Sequence, residues 1–453
     1  MWLLPALASV SAFATKVYYR FAVAGGDVPR TGPVLLVANH PNSLLDPAMV
    51  AAAARRPVRF LAKSSLFTHP VVGWLVRGAG AIPVYRQQDD PTQMRRNLEM
   101  FRAVHTALAA GAAVGIFPEG ISHSFPSMAP LKTGAARIAL GAATLIGKPF
   151  PIIPMGLVVR DKGTFRSAAL AIVGAPVAWD DIALAGVDSA DAVRELTARI
   201  DAAMREATVN LEQWEDAPLV ECAEAIHAAE LGVANDRLTR HERVRDTARI
   251  LLILRDSGDP RWEPLASDVR AHDRALGKLG LRPVDLGEAP RVRAALGWAL
   301  RRLPLVAAAA SGVAALGITV FWVPYRLTAT VANVGNPNDD TLSTHKVLAG
   351  ALIFVIWILL WATLAGVFGG ALWGVVTLAL LPILAFATLA IVERWQDSWT
   401  DARRFFLLRR RDDLLTELRA TQRALALRLE DVRENSPPLT AAPTVRAPTS
   451  KSG

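Results

Sequence analysis

Residues 34–47, VLLVANHPNSLLDP, decide how the rest of the chain is read. An apolar strand ends at Asn39 and His40, and Asp46 follows within a turn or so of helix. An imidazole at a strand end can accept a hydroxyl proton if a carboxylate holds the other ring nitrogen and stabilises the cation that forms. His40 and Asp46 are candidates for that pair. The bland alternative is a surface turn with a helix-capping Asn or Ser, and on these residues alone both readings stand.

Outward from this stretch the same strand-then-helix pattern repeats. VRFLAK (58–63), AIPVYR (81–86), AAVGIF (112–117), FPIIPMGLVV (150–159) and ALAIVG (169–174) are short β-rich runs, and the earlier ones are followed by helical periodicity, as in residues 91–110. That alternation predicts an α/β domain over 30–180 with a mainly parallel central sheet flanked by helices. Residues 181–300 carry apolar residues at helical spacing between charges, as in DAVRELTARIDAAMREATVNL (191–211), and are expected to add helices against that unit.

Just over half of the 453 residues are apolar although a fifth are charged, so polar and very apolar segments are segregated. The apolar share concentrates in 303–392, read as spans at about 303–325, 347–367 and 371–392. Three crossings would separate two basic flanks: Arg291, Arg293, Arg301 and Arg302 on one side, and Arg394, Arg403, Arg404 and Arg409 to Arg411 on the other. The positive-inside tendency favours keeping both in the cytoplasm, so one segment, Pro304–Pro324, is expected to be re-entrant or interfacial. Residues 1–29 read as an N-terminal membrane-associated helix. Residues 393–435 read as a charged helix, solvated or available for self-association into a homo-oligomer, and 436–453 as a disordered tail.

A net charge of +9 suits anionic lipid, acidic substrates or nucleic acid equally, and the apolar spans then argue against nucleic acid. Cys222, the one cysteine, excludes an intramolecular disulfide framework and a thiolate-rich zinc site. The other seven histidines lack ligand spacing, so no metal site is expected. No Gly-rich nucleotide loop occurs either, so no cofactor is expected.

Further groups recur at strand ends. GAIPVYR (80–86) ends in Arg86, FPEG (117–120) holds Glu119 and Gly120, PLKTGAARIAL (130–140) opens a helix beside Lys132, and PIIPMGL (151–157) centres on Pro154. In open α/β sheets the strand ends meet at one edge, where ligands bind. This ordered set resembles the four motifs of the glycerophosphate and lysophosphatidate acyltransferase superfamily. The intervening FPEGISHSFPSMAPLKTGAARIAL, FRSAALAIVGAPV (165–177) and REATVNLEQWEDAPL (205–219) resemble its glycerol 3-phosphate or dihydroxyacetone phosphate branch.

The resemblance implies a membrane-bound enzyme; the Ala-, Arg- and Gly-rich usage points to a bacterial source, and with the basic flanks the catalytic domain is expected on the cytoplasmic face of an inner membrane. It would move a fatty acyl group from an acyl-CoA or acyl-carrier-protein thioester to a phosphorylated glycerol-type acceptor. His40 would be the base and Asp46 its partner, with Arg86, Lys132, Lys63 and Arg166 for the acceptor phosphate and Glu119 either for an acceptor hydroxyl or paired with Lys132. A lysophosphatidate or lysophospholipid acyltransferase is the neighbouring alternative, and a non-catalytic lipid-binding membrane protein the distant one. Two departures stand out. The spacer PNSLL between His40 and Asp46 is one residue longer than in most members, and Ile121-Ser122-His123 replaces the Thr-Arg often found after FPEG, leaving His123 or Arg166 to supply the lost cation.

Overall fold

The computed structural model describes residues 4–68, 70–85, 97–232, 236–286, 304–410 and 412–435. Seven strands form one sheet: β1 (Arg20–Gly25), β2 (Val34–Ala38), β3 (Val58–Lys63), β4 (Ile82–Val84), β5 (Ala113–Ile116), β6 (Ile152–Val159) and β7 (Ala168–Val173). Their order is β1-β7-β6-β2-β5-β3-β4, and every neighbouring pair is parallel except β6 with β7. The fold is therefore the expected mainly parallel sheet with flanking helices.

β2 lies inside the sheet, and its side chains divide between two cores. Leu35 and Val37 pack with Val104 and Leu108 of α4 (Asn97–Ala109), Ile138 of α5 (Gly134–Ile146) and Leu196 of α6 (Ala190–Ala207). Val34, Leu36 and Ala38 pack with Met49 and Ala53 of α2 (Leu45–Ala54) and with Tyr18 and Tyr19 at the end of α1 (Leu4–Tyr18). Burial on both faces explains why this strand is apolar without alternation. α3 (Pro70–Gly78) links β3 to β4.

The sheet starts earlier than the expected boundary at residue 30. Arg20–Gly25 forms an edge strand paired with β7, a partner so distant in sequence that no local pattern announces it. Because β7 is antiparallel to β6, β7 and β1 run against the other strands. The start of β1, with Tyr18 and Tyr19 before it, consequently lies at the edge where β2 to β6 end.

Gly156 of β6 lies under the last turn of α6: a Cβ there would come within 1.7 Å of the Ala207 carbonyl oxygen. Gly156→Ala is expected to destabilise the domain by about 3 kcal/mol, because backbone rather than a flexible side chain must move. Chemical denaturation of the detergent-solubilised chain would measure it.

Helices α7 (Ala217–Leu231), α8 (Arg237–Asp256) and α9 (Trp262–Leu279) build a separate core around Ile226, Leu251, Leu254 and Val269. The final helix, α13 (Asp412–Glu434), docks on that core through Leu425, Leu429 and Val432, with Arg428 paired to Asp268 at 2.7 Å. The apolar stripe assigned from sequence to a solvated or self-associating helix is thus covered by the same chain. Its charged face misleads because the covering surface lies some 200 residues earlier in the sequence.

Among the described residues three helices are long and apolar enough to cross a bilayer: α10 (Pro304–Ala332), α11 (Asp339–Gly369) and α12 (Ala371–Arg410). α10 continues through Pro324 without turning back, unlike the re-entrant path that is one of the two expected for Pro304–Pro324, the other being interfacial. Proline cannot donate to the carbonyl four residues earlier, which in an apolar setting needs another partner. That carbonyl, of Val320, accepts from the indole N–H of Trp357 on α11 at 3.0 Å. α10 and α11 run antiparallel, with Phe321 stacked on Phe354 at 5.8 Å. The basic residues Arg291, Arg293, Arg301 and Arg302 and the tail 436–453 lie outside the described residues.

Candidate active site

The end of β2 is pinned before the chemistry begins. The Asn39 side chain donates to the Leu157 carbonyl at 3.0 Å and accepts the Leu157 N–H at 2.7 Å, locking β2 to β6. His40 comes next, its Nδ1 lying 2.8 Å from Oδ2 of Asp46 in the first turn of α2. The same oxygen accepts the Asn42 N–H at 2.7 Å. A carboxylate oxygen that already accepts one N–H leaves Nδ1 as the donor, so Nε2 carries the lone pair. The five-residue spacer closes through Ser43, which takes the left-handed region at φ +49° and donates its N–H to the Ser122 hydroxyl.

Asp46 is wholly buried, and that burial pushes its carboxyl up from the ordinary range, opposed by the His40 hydrogen bond and charge and by the Asn42 amide. The His40 ring is stacked on Phe117 at 4.1 Å and remains partly exposed. The aromatic face fixes the ring plane, and the Asp46 contact fixes its rotation. An imidazole held in this way can present one nitrogen to a hydroxyl without needing to reorganise.

The FPEG turn follows β5, the neighbour of β2. Glu119 is buried and fully occupied: Oε1 accepts the His40 N–H at 3.1 Å, while Oε2 accepts the Ala129 N–H at 2.6 Å and contacts His123 Nε2 at 2.5 Å. The His123 N–H donates back to the His40 carbonyl at 3.1 Å. Glu119 thus bolts the third motif to the first. Glu119→Ala strands these donors in a buried setting and is expected to cost about 2–3 kcal/mol of stability together with most activity. Denaturation and turnover measured on the same preparation would test this, with Glu119→Gln expected to recover part of both.

The other sequence-derived residues divide. Gly120 sits at φ +73° under Lys132, whose Nζ would be 2.9 Å from an added Cβ, so the glycine gives the lysine its path. Lys132 is exposed on the site side of α5, and Lys63 ends β3 with Val84 of β4 beside it. Arg86, two residues further on, lies outside the described residues. His123 is committed to Glu119 and is not a spare cation. Arg166 is placed elsewhere: its guanidinium pairs with Glu393 of α12 at 2.5 Å and donates to the carbonyls of Lys16 and Tyr19. It ties the N-terminal helix and the third apolar helix to the domain, and a phosphate there would have to displace these partners.

Three site residues escape motif reading. Asn42 sits within the quoted stretch yet caps no helix; its side chain donates to the Tyr19 hydroxyl at 2.9 Å. The Tyr19 hydroxyl donates to the Lys162 carbonyl at 2.8 Å, and burial pushes that phenol up to about 12, so it stays a neutral donor. Lys162, on the loop after β6, donates to the Ser124 hydroxyl at 2.8 Å, and burial lowers its ammonium against the pull of Asp46, Asp340 and Asp339. Nothing in the local pattern around RDKGTF marks it as a site cation.

Residues 20–158 match the family model described as Acyltransferase. The chain carries an acyltransferase domain. Its sequence is similar to two proteins of Saccharomyces cerevisiae, glycerol-3-phosphate O-acyltransferase 1 (24% identical over 440 residues; 73% of this chain, 57% of that protein) and glycerol-3-phosphate O-acyltransferase 2 (41% over 85 residues; 18% and 11%). It is also similar to a 1-acyl-sn-glycerol-3-phosphate acyltransferase of Chlamydomonas reinhardtii, 32% identical over 131 residues, 28% of this chain and 37% of that protein. The chain thus spans less than two thirds of each of these relatives. The matched region of the acyltransferase domain begins at β1, holds His40, Asp46 and Glu119, and ends within β6.

Proposed function

We propose that the chain transfers a fatty acyl group from an acyl-CoA or acyl-carrier-protein thioester to the hydroxyl of glycerol 3-phosphate or dihydroxyacetone phosphate. The observation that carries this reading is the 2.8 Å contact of His40 Nδ1 with buried Asp46, which leaves Nε2 as an acceptor at the ligand-binding edge of the sheet. In the proposed step Nε2 takes the acceptor's hydroxyl proton, the oxygen bonds to the thioester carbonyl carbon, the C–S bond breaks, and the thiolate leaves with the proton returned by the imidazolium. Asp46 stabilises the cation between those two transfers. Lys63, at the end of β3, and Lys132, just before α5, supply cations for the acceptor phosphate on this edge, and Arg86, which lies outside the described residues, is a further candidate whose guanidinium suits a two-oxygen grip.

No covalent acyl-enzyme is needed. Cys222 is buried in the helical extension with its thiol pushed up to about 12 by burial, so Cys222→Ser is expected to leave turnover unchanged. Similarity to the yeast glycerol-3-phosphate acyltransferases favours the smaller acceptors, and similarity to the algal protein keeps lysophosphatidate as the second reading. A membrane preparation supplied with labelled acyl thioester and each acceptor in turn separates them: product from glycerol 3-phosphate or dihydroxyacetone phosphate is expected, product from lysophosphatidate alone selects the rival, and product from none rejects both.

Glu393, beside Arg394 on α12, meets the domain through Arg166. The basic run that follows on α12 supports a cytoplasmic placement of the domain, testable by labelling single-cysteine variants from either side of sealed vesicles.

A further inference from the structure

We propose that Ser343, on the apolar helix α11, is a positioning residue for the catalytic turn and acts through Asn42. The idea rests on His40 and Asp46 being base and partner, but it concerns a residue far outside the acyltransferase domain.

The hydrogen bonds run in one direction because each donor is fixed by the next acceptor. The Tyr19 hydroxyl donates its one proton to the Lys162 carbonyl at 2.8 Å, so toward Asn42 its oxygen can only accept. That sets the Asn42 amide: Nδ2 faces Tyr19 at 2.9 Å, and Oδ1 is left to accept the Ser343 hydroxyl. The backbone N–H of the same Asn42 donates to the Asp46 oxygen that holds His40. Tyr19, Asn42, Asp46 and Ser343 are each essentially inaccessible to water, so a missing partner cannot be replaced by solvent.

The anchorage of α11 is broader than this one bond. Lys346, nearly one turn further along, donates to the Gly163 carbonyl at 2.6 Å, on the loop that also carries Lys162. Ser343 lies in the second turn of α11, four residues or about 6 Å before the uninterrupted apolar run from Val347. The helix therefore reaches the catalytic turn from just outside its bilayer-length segment. Tyr19 and Ser343 both bond the Asn42 amide and lie within hydrogen-bond reach of each other, so Asn42 is held where the N-terminal segment meets α11, and the carboxylate that orients His40 inherits that fixed position.

The test uses the full chain in lipid nanodiscs with Ser343→Ala, Ser343→Thr, Asn42→Ala and the Ser343→Ala/Asn42→Ala double variant. Acyl transfer to glycerol 3-phosphate and hydrogen exchange of the peptide covering residues 39–46 are read on each. Ser343→Ala is expected to lower kcat about tenfold with KM changed less than twofold, Ser343→Thr to restore kcat, and the double variant to be no worse than Asn42→Ala alone. Exchange at the 39–46 turn should quicken in Ser343→Ala while that of β2 stays as in the wild type.

An unchanged kcat, additive losses, or faster exchange confined to α11 would overturn the proposal, since a residue that merely stabilises the helix bundle moves only the last of these. The exchange arm is independent of turnover. A wild-type chain inactive on every acceptor, but with a turn that loosens in Ser343→Ala, rejects the proposed reaction and keeps the link. An active chain whose turn ignores Ser343 does the reverse.

Discussion

His40→Ala is expected to reduce acyl transfer by about 10³-fold or more, with the folded chain still recovered in membranes. A positioned general base contributes about 10²–10⁴ in rate, and in the proposed step His40 also returns the proton to the leaving thiolate. The side chain makes one strong polar contact, to Asp46 Oδ2, and one stack, on Phe117. The turn's other bonds are held by backbone atoms: the His40 N–H to Glu119 and its carbonyl to the His123 N–H. Removing the ring should therefore spare the turn. Turnover with saturating donor and acceptor, compared with a denaturation curve of the same sample, decides the matter; residual turnover near wild type would remove His40 as the base and return weight to a lipid-binding role.

Asp46→Asn separates catalysis from stability. In the wild type both hydrogen bonds to the carboxylate fall on Oδ2, while Oδ1 is buried without a partner. An asparagine oxygen in the Oδ2 position keeps both bonds and the tautomer of His40; the negative charge opposite the imidazolium is lost, and the amide NH2 takes the buried Oδ1 position, where no described residue accepts from it. We expect kcat to fall about 10²–10³-fold, the share of a general base that depends on its cation being stabilised.

Stability should change far less. Burial raises the carboxyl of Asp46 above the value of about 3.9 for an unfolded chain, so the folded state binds this proton more tightly. That contribution favours folding below the unfolded value, is lost as the pH rises through the folded one, and at neutral pH leaves a desolvated charge as a net cost. Replacing it with a neutral amide at pH 7 removes that cost but buries an unpaired NH2, which costs about 1–3 kcal/mol, so the two offset and the net change in stability should be small beside the loss of turnover. Turnover that stays near wild type would mean that the proposed electrostatic duty of the carboxylate is minor.

The site was legible in proportion to how local its parts are. His40 and Asp46 are six residues apart, and FPEG is a contiguous turn, so strand-end chemistry announces both. The role of Glu119 was not legible: its three partners come from residues 40, 123 and 129, and only the pairing of β2 with β5 through β5's turn brings them together. Arg166 has the right charge, yet its neighbour in space is Glu393, and no sequence spacing connects the two. Asn42 reads as a cap because Asn before a helix usually is one; its actual partners, Tyr19 and Ser343, come from either end of the chain.

By itself the sequence determined the α/β character, the approximate positions of six strands and the presence of three bilayer-length apolar helices, and it offered His40 and Asp46 as candidates for a pair. All of these follow from hydrophobic periodicity or from contacts a few residues apart. Tertiary structure alone decided that Arg20–Gly25 joins the sheet, that α13 covers the helical extension, and that α11 touches the turn that carries Asn42. The physical reason is the same in each case: an edge strand, an amphipathic stripe or a buried hydroxyl states only that it needs a partner, and which partner satisfies it depends on the path of the whole backbone.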